Sequence, residues 1–295
     1  MTLGSAEQTT ARPLVSILTP SFNQAAWLAD NLASVSCQTH RDIEHVVMDG
    51  GSTDGSVDIL RAAGDSIIWR SEPDGGQANA VNKAFAASHG EIIGWLNSDD
   101  AYFDTRAVED VVAFFDKHPD VDVVYGHAAR IDTDGKVFRI LHVPRFNLRH
   151  LLWECFLVQP AVFIRRRAIE DAFVNEDFHF AMDWELWLRL SQTRKFARLD
   201  RVLAVDRVQA DRKMLTWLDV LEADMNELEK MYGVWRPKSR RWQHRYYFVT
   251  GRLAGASHIL FPVAPLAFPG GQDTRWALLK KQVASRSSNW PEGYV

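Results

Sequence analysis

The segments of this chain that could do chemistry are three short runs in which an apolar pattern ends on acids: VVMDGGSTDGS (46–56), GWLNSDD (94–100) and FAMDWELWLRL (180–190). In the second run Asp99 and Asp100 are adjacent and repel each other, so they need separate tasks or a shared counter-charge. Neighbouring side chains of an extended strand point to opposite faces, which puts Asn97 and Asp99 on one face and Asp100 on the other. A divalent Mg or Mn ion would offset the repulsion, because hard cations prefer oxygen ligands and fill their shell with water and a substrate diphosphate. The plain alternative is that the acids cap the next helix. Asp104 and Thr105 stand directly before RAVEDVVAFF and can already supply that cap.

In the first run Asp49 closes a strand, Gly50 and Gly51 permit a tight turn with close backbone approach, and Ser52 or Thr53 can cap the following helix. In the third, helical spacing puts Asp183 on one stripe with Leu186, Trp187 and Leu190, whereas Glu185 and Arg189 point elsewhere. An acid on an apolar stripe is either an N-cap or a general base whose pKa desolvation raises toward the working range. A fourth segment, SEPDGGQANAVNKAFAASHG (71–90), has a turn at Pro73–Gly76 and then a helix. Gly75 and Gly76 could expose amides to an anion, and Asn79, Asn82 and Lys83 lie on a polar side that faces either solvent or a ligand.

These runs need elements that bring them together. LVSILT (14–19), IEHVVMD (43–49), SIIWR (66–70) and EIIGWLN (91–97) read as buried strands, with amphipathic helices between them. Trp27, Leu28, Leu32 and Val35 share a face of the first helix, Val57 and Leu60 of the second, Val81 and Phe85 of the third. This alternation predicts a parallel sheet with helices on its faces and a ligand crevice beyond the carboxyl ends of the strands. A helix over 105–117 and a strand VDVVYG (121–126) follow. The second half is mixed: a hairpin turning at Asp134-Gly135, a strand PAVFIR (160–165), a helix DWELWLRLSQ and a further strand or pair FARLDRVLAV. From about residue 215 onward the chain reads as helices.

The bulk numbers bound the function. With 295 residues, 46% hydrophobic and 24% charged, the chain has material for one large domain with an appendage. A formal charge of -4 argues against nucleic acid as the partner. Cys37 and Cys155 show neither ligand spacing nor a disulfide pattern, which suits a reducing cytoplasm. No apolar run approaches the roughly 20 residues that span a bilayer. There is no Gly-x-Gly-x-x-Gly after the first strand and no Gly-Lys-Ser/Thr, which counts against dinucleotide and P-loop folds.

Together, VSILTPSFNQ, VVMDGGSTDGS, EPDGGQANAVNKAF, GEIIGWLNSDDAYF and AMDWELWLRL, in this order over residues 14–213, resemble family 2 glycosyltransferases. That resemblance implies an α/β fold of GT-A type: a Rossmann-like, mostly parallel sheet flanked by helices, with a small antiparallel element and a helical C-terminal extension. The expected organisation is a flexible 1–13, a donor half 14–126, an acceptor half 127–213 and the extension 214–295. The implied reaction is inverting transfer of one sugar from a UDP-, GDP- or dTDP-sugar to a glycan or lipid-linked acceptor.

By the same resemblance the donor is held by Thr19, Pro20, Ser21, Asn23, Asp49, Asp74, Gln77, Asn82, Lys83, Asn97, Ser98 and Asp99. Asp100, with Asp99, holds Mn or Mg, and Asp183 is the base. NSDD stands in for the family's DxD element, with Asn97 where the first acid is expected. RVQADRK (207–213) stands in for RxHxxSK, so Gln209 replaces a histidine, and Arg207, Arg212 and Lys213 are candidates for the diphosphate. Gln159, Trp153, Trp184 and Trp187 are acceptor candidates.

Residues 233–272 carry no acid and interleave Arg236, Lys238, Arg240, Arg241, Arg245 and Arg252 with Trp235, Trp242, Tyr246, Tyr247 and Phe248. This stretch is either a helix packed on the domain or, through 235–260, a peripheral contact with the inner face of a membrane. Two other functions compete: a sugar nucleotidyltransferase, which should show a Gly-rich basic loop that TPSFNQ lacks, and a non-catalytic nucleotide- or glycan-binding relative, prompted by Asn97 and Gln209.

Overall fold

A computed structural model describes residues 14–208 and 218–235 of the chain. Residues 1–13, Gln209, Arg212, Lys213 and the basic aromatic stretch beyond Trp235 lie outside the described residues, and with them the readings placed there.

The first strands form in short segments rich in β-branched residues. β1 (Val15–Ser21) is buried along its whole length, as a strand covered on both faces must be. It pairs in parallel with β2 (Ile43–Asp49) on one side and β4 (Ile92–Trp95) on the other, and β2 pairs in parallel with β3 (Ile68–Ser71). The register sets Ser21 beside Asp49 and Asp49 beside Ser71. Between these strands run α1 (Ala25–Ser36), α2 (Ser56–Ala63) and α3 (Gln77–Ala86). Leu28, Val35, Leu60 and Val81 bury their side chains, whereas Trp27, Leu32, Val57 and Phe85 are half-buried.

Beyond β4 the sheet changes character. Its order is β3-β2-β1-β4-β8-β6-β9-β5, with β7 paired to β6. β8 (Val162–Arg165) is antiparallel to both neighbours, β4 and β6 (Val123–Ile131), and β6 is parallel to β9 (Phe196–Arg207). β7 (Val137–Leu141) is the return arm of the expected hairpin, whose turn contains Gly135 at φ 76°. FARLDRVLAV is thus one long strand with register shifts. The two-residue β5 (Ala101–Tyr102), antiparallel to β9, and the short helix α5 (Leu148–Leu151) have no signal in the periodicity. α4 (Ala107–Lys117), α6 (Met182–Ser191) and α7 (Leu218–Tyr232) complete the described helices.

Four local expectations are revised. Neither Ser52 nor Thr53 caps α2, whose N-cap is Gly55; Asp54, one residue before it, accepts from Ser56 N (3.0 Å) and from Ser56 Oγ (2.6 Å). Its other oxygen accepts from Ala25 N at 2.9 Å, so one carboxylate serves the starts of two helices. The amides of Gly75 and Gly76 are not left open, because Asn79 Oδ1 and Asp74 Oδ1 accept from them. Asp183 is not the N-cap of α6, a position taken by Ala181. Nor does Asp104 or Thr105 cap α4, whose N-cap is Arg106: Asp104 Oδ1 accepts from Arg106 N at 2.8 Å, just before the helix begins.

Candidate active site

The carboxyl ends of β1, β2 and β3 meet at Asp49, which is 2% exposed. Its carboxylate accepts from Gly51 N (3.1 Å), Ser52 N (2.9 Å), Ser52 Oγ (2.5 Å) and Ser71 Oγ (2.7 Å). A carboxylate offers about four lone-pair sites, so Asp49 is held in one rotamer by the turn it closes. Gly51 has φ 81°, a left-handed conformation that a Cβ would strain. At Gly50 a Cβ would come within 3.0 Å of Asp74 Oδ2, so the glycine lets the loop after β3 approach. Asn23, with φ 52°, locks the β1 loop on the same turn: its N donates to Ser52 Oγ (2.7 Å) and its Oδ1 accepts from Thr53 N (2.9 Å). Ser21 Oγ is buried at this junction without a hydrogen-bond partner among the described residues. A buried hydroxyl left unpaired costs about 1–3 kcal/mol, which a polar ligand would relieve.

One strand away, the turn after β4 is organised by Asn97. Its Oδ1 accepts from Trp95 Nε1 and Gln77 Nε2, both at 2.9 Å, while its Nδ2 donates to Gln159 Oε1 (2.8 Å) and, at 3.4 Å, toward Asp100 Oδ2. An aspartate could make the first two bonds but not the last two, since it has no donor. The asparagine where an acid was expected is therefore the residue that this network requires. Gln159 continues it, donating to Trp95 O.

Asp100 is 5% exposed. Its Oδ1 accepts from Arg207 N at 3.1 Å, which ties the acid to the end of β9. Arg207 itself is 2% exposed: Nε donates to Asp99 O (3.0 Å), Nη2 to Asp30 Oδ2 (3.1 Å), and its Cζ lies 4.3 Å from the centre of the Trp27 ring. Burial pulls its pKa down, with Asp30, Asp100 and Asp99 opposing that shift. Arg207 thus clamps α1, β9 and the NSDD turn. Among the described residues no three His, Cys, Asp or Glu side chains converge as a closed metal site. The donor set still fits a hard cation: Asp100 is an oxygen ligand oriented by an N–H and an amide, and Mg or Mn commonly uses one or two carboxylates plus substrate phosphates.

Several expected donor residues have their side chains committed inside the protein. Thr19, wholly buried, donates its hydroxyl proton to Leu96 O (2.8 Å), so its 2.9 Å contact with His45 Nε2 requires that nitrogen to carry the proton. Burial lowers the His45 pKa to about 3, which keeps the ring neutral and consistent with that tautomer. Asn82 exchanges bonds with Val174 N and O, both at 3.0 Å, and donates to Glu176 at 2.8 Å. Lys83 is paired with Glu72 at 3.0 Å. Pro20 and Ser98 are buried. Asp74 and Gln77 retain partial exposure beside the two networks.

Asp183 stands in the first turn of α6, half-buried, its Oδ1 accepting from Trp184 N at 2.8 Å. Burial pushes its pKa up to about 6, against the lowering effect of the backbone bonds. The helix start that carries it is fixed from far away. Asp224 of α7, 5% exposed, accepts with Oδ2 from His179 N (3.1 Å), Phe180 N (2.7 Å) and Ala181 N (2.9 Å). Tyr232, also on α7, donates to the buried Glu185 at 2.8 Å, and Arg189 bonds the same carboxylate. Asp224 has no sequence signal beyond an acid on the helix LTWLDVLEADMNELEKMYG. Of the tryptophans, Trp187 is 1% exposed, Trp184 is buried with Nε1 donating to Leu151 O (2.8 Å), and Trp153 is 52% exposed.

This arrangement, a mixed sheet with a carboxylate crevice at its strand ends, is that of the GT-A class of sugar-transferring folds. The sequence profile described as glycosyl transferase family 2 matches residues 16–173, more than half of the 295-residue chain, and the chain belongs to that family. It is therefore a glycosyltransferase enzyme. It is 33% identical over 184 residues to a PGL/p-HBAD biosynthesis glycosyltransferase of Mycobacterium bovis, covering 61% of this chain and 70% of that one. It is 27% identical over 215 residues to an uncharacterized glycosyltransferase of Rickettsia felis, covering 68% of this chain but 35% of that longer protein. Among solved structures, the mannosyltransferase PcManGT of Pyrobaculum calidifontis, in complex with GDP-Man and Mn2+, superposes with a TM-score of 0.58 at 18% identity, over 97% of this chain and 83% of that one. No helix among the described residues is long and apolar enough to cross a membrane.

Proposed function

We propose that this protein transfers a single sugar, with inversion, from a nucleoside diphosphate sugar (UDP-, GDP- or dTDP-linked) to a hydroxyl of a glycan or lipid-linked acceptor in surface polysaccharide or glycolipid synthesis. The observation that carries this reading is Asp183: a half-buried carboxylate with a pKa near 6, held by backbone bonds at a helix start. A base that titrates just below neutral pH is ionised when needed and still basic enough to take a proton in the transition state.

In the reaction, Asp183 accepts the proton of the acceptor hydroxyl as that oxygen bonds to the anomeric carbon. The bond from that carbon to the diphosphate oxygen breaks on the opposite face, and the nucleoside diphosphate leaves. The turn formed by Asp49, Gly50, Gly51 and Ser52 receives the nucleoside, with Ser21, Asn23, Asp74 and Gln77 around it. Asp100, with Asp99, holds a divalent Mn or Mg ion. When bound, that ion supplies Lewis-acid stabilisation of the leaving diphosphate. Arg207 acts by holding the NSDD turn, and Arg212 and Lys213 supply counter-charge to the diphosphate.

A thermal-shift screen of nucleoside diphosphates with and without Mn tests the donor half. We expect one base to stabilise the protein only with metal, and the effect to vanish in Asp100→Ala. If neither stabilisation nor turnover is seen with any nucleotide sugar, and Asp183→Asn changes nothing, the transferase mechanism proposed for this site is wrong.

A further inference from the structure

Beside the start of α6 lies a shallow groove of about 570 Å³ lined by Pro144, Arg145, Asn147, Arg149, His150 and Trp153. We infer that this groove is an acceptor subsite selective for saccharides that carry a carboxylate or a phosphate, an inference that rests on the transferase reading above.

Three observations converge on it. First, Trp153 is 52% exposed although it is the largest apolar side chain of its segment. It stacks on Trp235, with ring centres 4.8 Å apart and planes inclined by 17°. Trp235 is held in place by its own N donating to Leu152 O at 2.9 Å. Water disfavours an exposed indole pair of this kind, whereas the apolar face of a pyranose ring fits it.

Second, Arg145 and Arg149 are exposed, and among the described residues neither guanidinium is paired with an acid. The acid nearest in sequence, Glu154, faces His150 at 3.6 Å. Two unneutralised guanidinium groups beside an aromatic wall match a planar or tetrahedral oxyanion, which arginine binds through paired N–H donors. A neutral sugar would leave both charges unanswered.

Third, the groove adjoins the proposed base. The helix that carries Arg149 ends at Leu151, whose carbonyl accepts from Trp184 Nε1 at 2.8 Å, one residue from Asp183. Burial raises the pKa of the Cys155 thiol, two residues beyond Trp153, and the charge of Asp183 raises it further. An acceptor seated on Trp153 therefore lies on the side of the molecule from which its hydroxyl must reach Asp183.

The test uses the full-length protein and three probes titrated by calorimetry: a glucuronate-terminated disaccharide, glucose 6-phosphate and neutral cellobiose. We expect the anionic probes to bind more tightly than cellobiose and to weaken as salt rises from ~50 to ~200 mM. Arg145→Ser/Arg149→Ser should weaken them about tenfold while leaving cellobiose unchanged, and Trp153→Ala should weaken all three. Tighter binding of the glucuronate arm or of the phosphate arm identifies the anion. Cellobiose binding as tightly as the charged probes, an indifferent double variant, or no binding by any probe overturns the subsite. The metal-dependent thermal shift with nucleoside diphosphate, measured on the same samples, reports separately on the donor crevice. Its persistence beside a failed groove refutes the subsite alone.

Discussion

The two halves of the site place their acids by opposite means. At the donor crevice Asp49 is fixed by bonds from Gly51, Ser52 and Ser71, most of them within three residues of it. Asp183 accepts from its neighbour's N–H, and the loop before it is gripped by Asp224 from 43 to 45 residues away in sequence. The first arrangement forms as soon as the strand-turn-helix unit closes. The second exists only after α7 has docked. On the proposed function, a turn that receives a constant group, the nucleoside diphosphate, gains from being locally built and rigid. The proposed base, which must follow acceptor chemistry, sits where a separate helix can reset it.

The comparison can be broken most severely at Asp183. Asp183→Asn should lower kcat by about 10³-fold while donor binding persists, as steady-state kinetics with a nucleotide sugar will show. In the wild type the rate should rise with pH through the value near 6, because only the ionised carboxylate accepts a proton. The same raised pKa implies a stability cost: folding favours the protonated acid, so stability is greatest below the unfolded value and falls as pH rises through about 6. Asp183→Asn should therefore raise Tm at pH 8 by ~3 °C even as it removes activity.

Next in size is Asp100→Ala, which should cut kcat about 100-fold and abolish the metal-dependent thermal shift. Unchanged metal dependence would move the ion to Asp99 or to a residue outside the described part of the chain.

Asp224→Ala leaves the amides of residues 179–181 without their acceptor. We expect kcat to fall about tenfold with the donor KM unchanged, and Asp224→Asn, which keeps one carbonyl acceptor, to restore most of it. Equal loss in both variants, or a change in donor KM, would show that α7 supports the fold as a whole and does not position Asp183.

The smallest expected effect is also the sharpest contrast. Asn97→Asp restores the acid expected at the head of a DxD element, yet it removes the donors to Gln159 and Asp100 and adds a like charge beside Asp100. Unfolding by urea without metal should show a loss of about 2–3 kcal/mol, part of it recovered when Mn is added.

Much of this was legible in the residues themselves. VSILT, IEHVVMD and EIIGWLN read as buried strands, being short apolar runs rich in Val and Ile. GG after Asp49 permitted a tight turn, and Gly51 adopts a positive φ there. The five ordered motifs pointed to the family that the profile over 16–173 identifies.

What the sequence could not decide was partnership across distance. Asn97 read as a defect until Trp95, Gln77, Gln159 and Asp100 were placed around it. Arg207 read as a phosphate ligand until its guanidinium was found between Asp30 and Trp27. Nothing in the sequence singled out Asp224 until its carboxylate was found on three amides of another segment. Side-chain type and local spacing determine which element forms and which chemistry it can carry, because those depend on neighbours in the chain. Which hydrogen-bond capacity remains for a ligand depends on groups up to 177 residues apart, and only the packed tertiary structure brings those together.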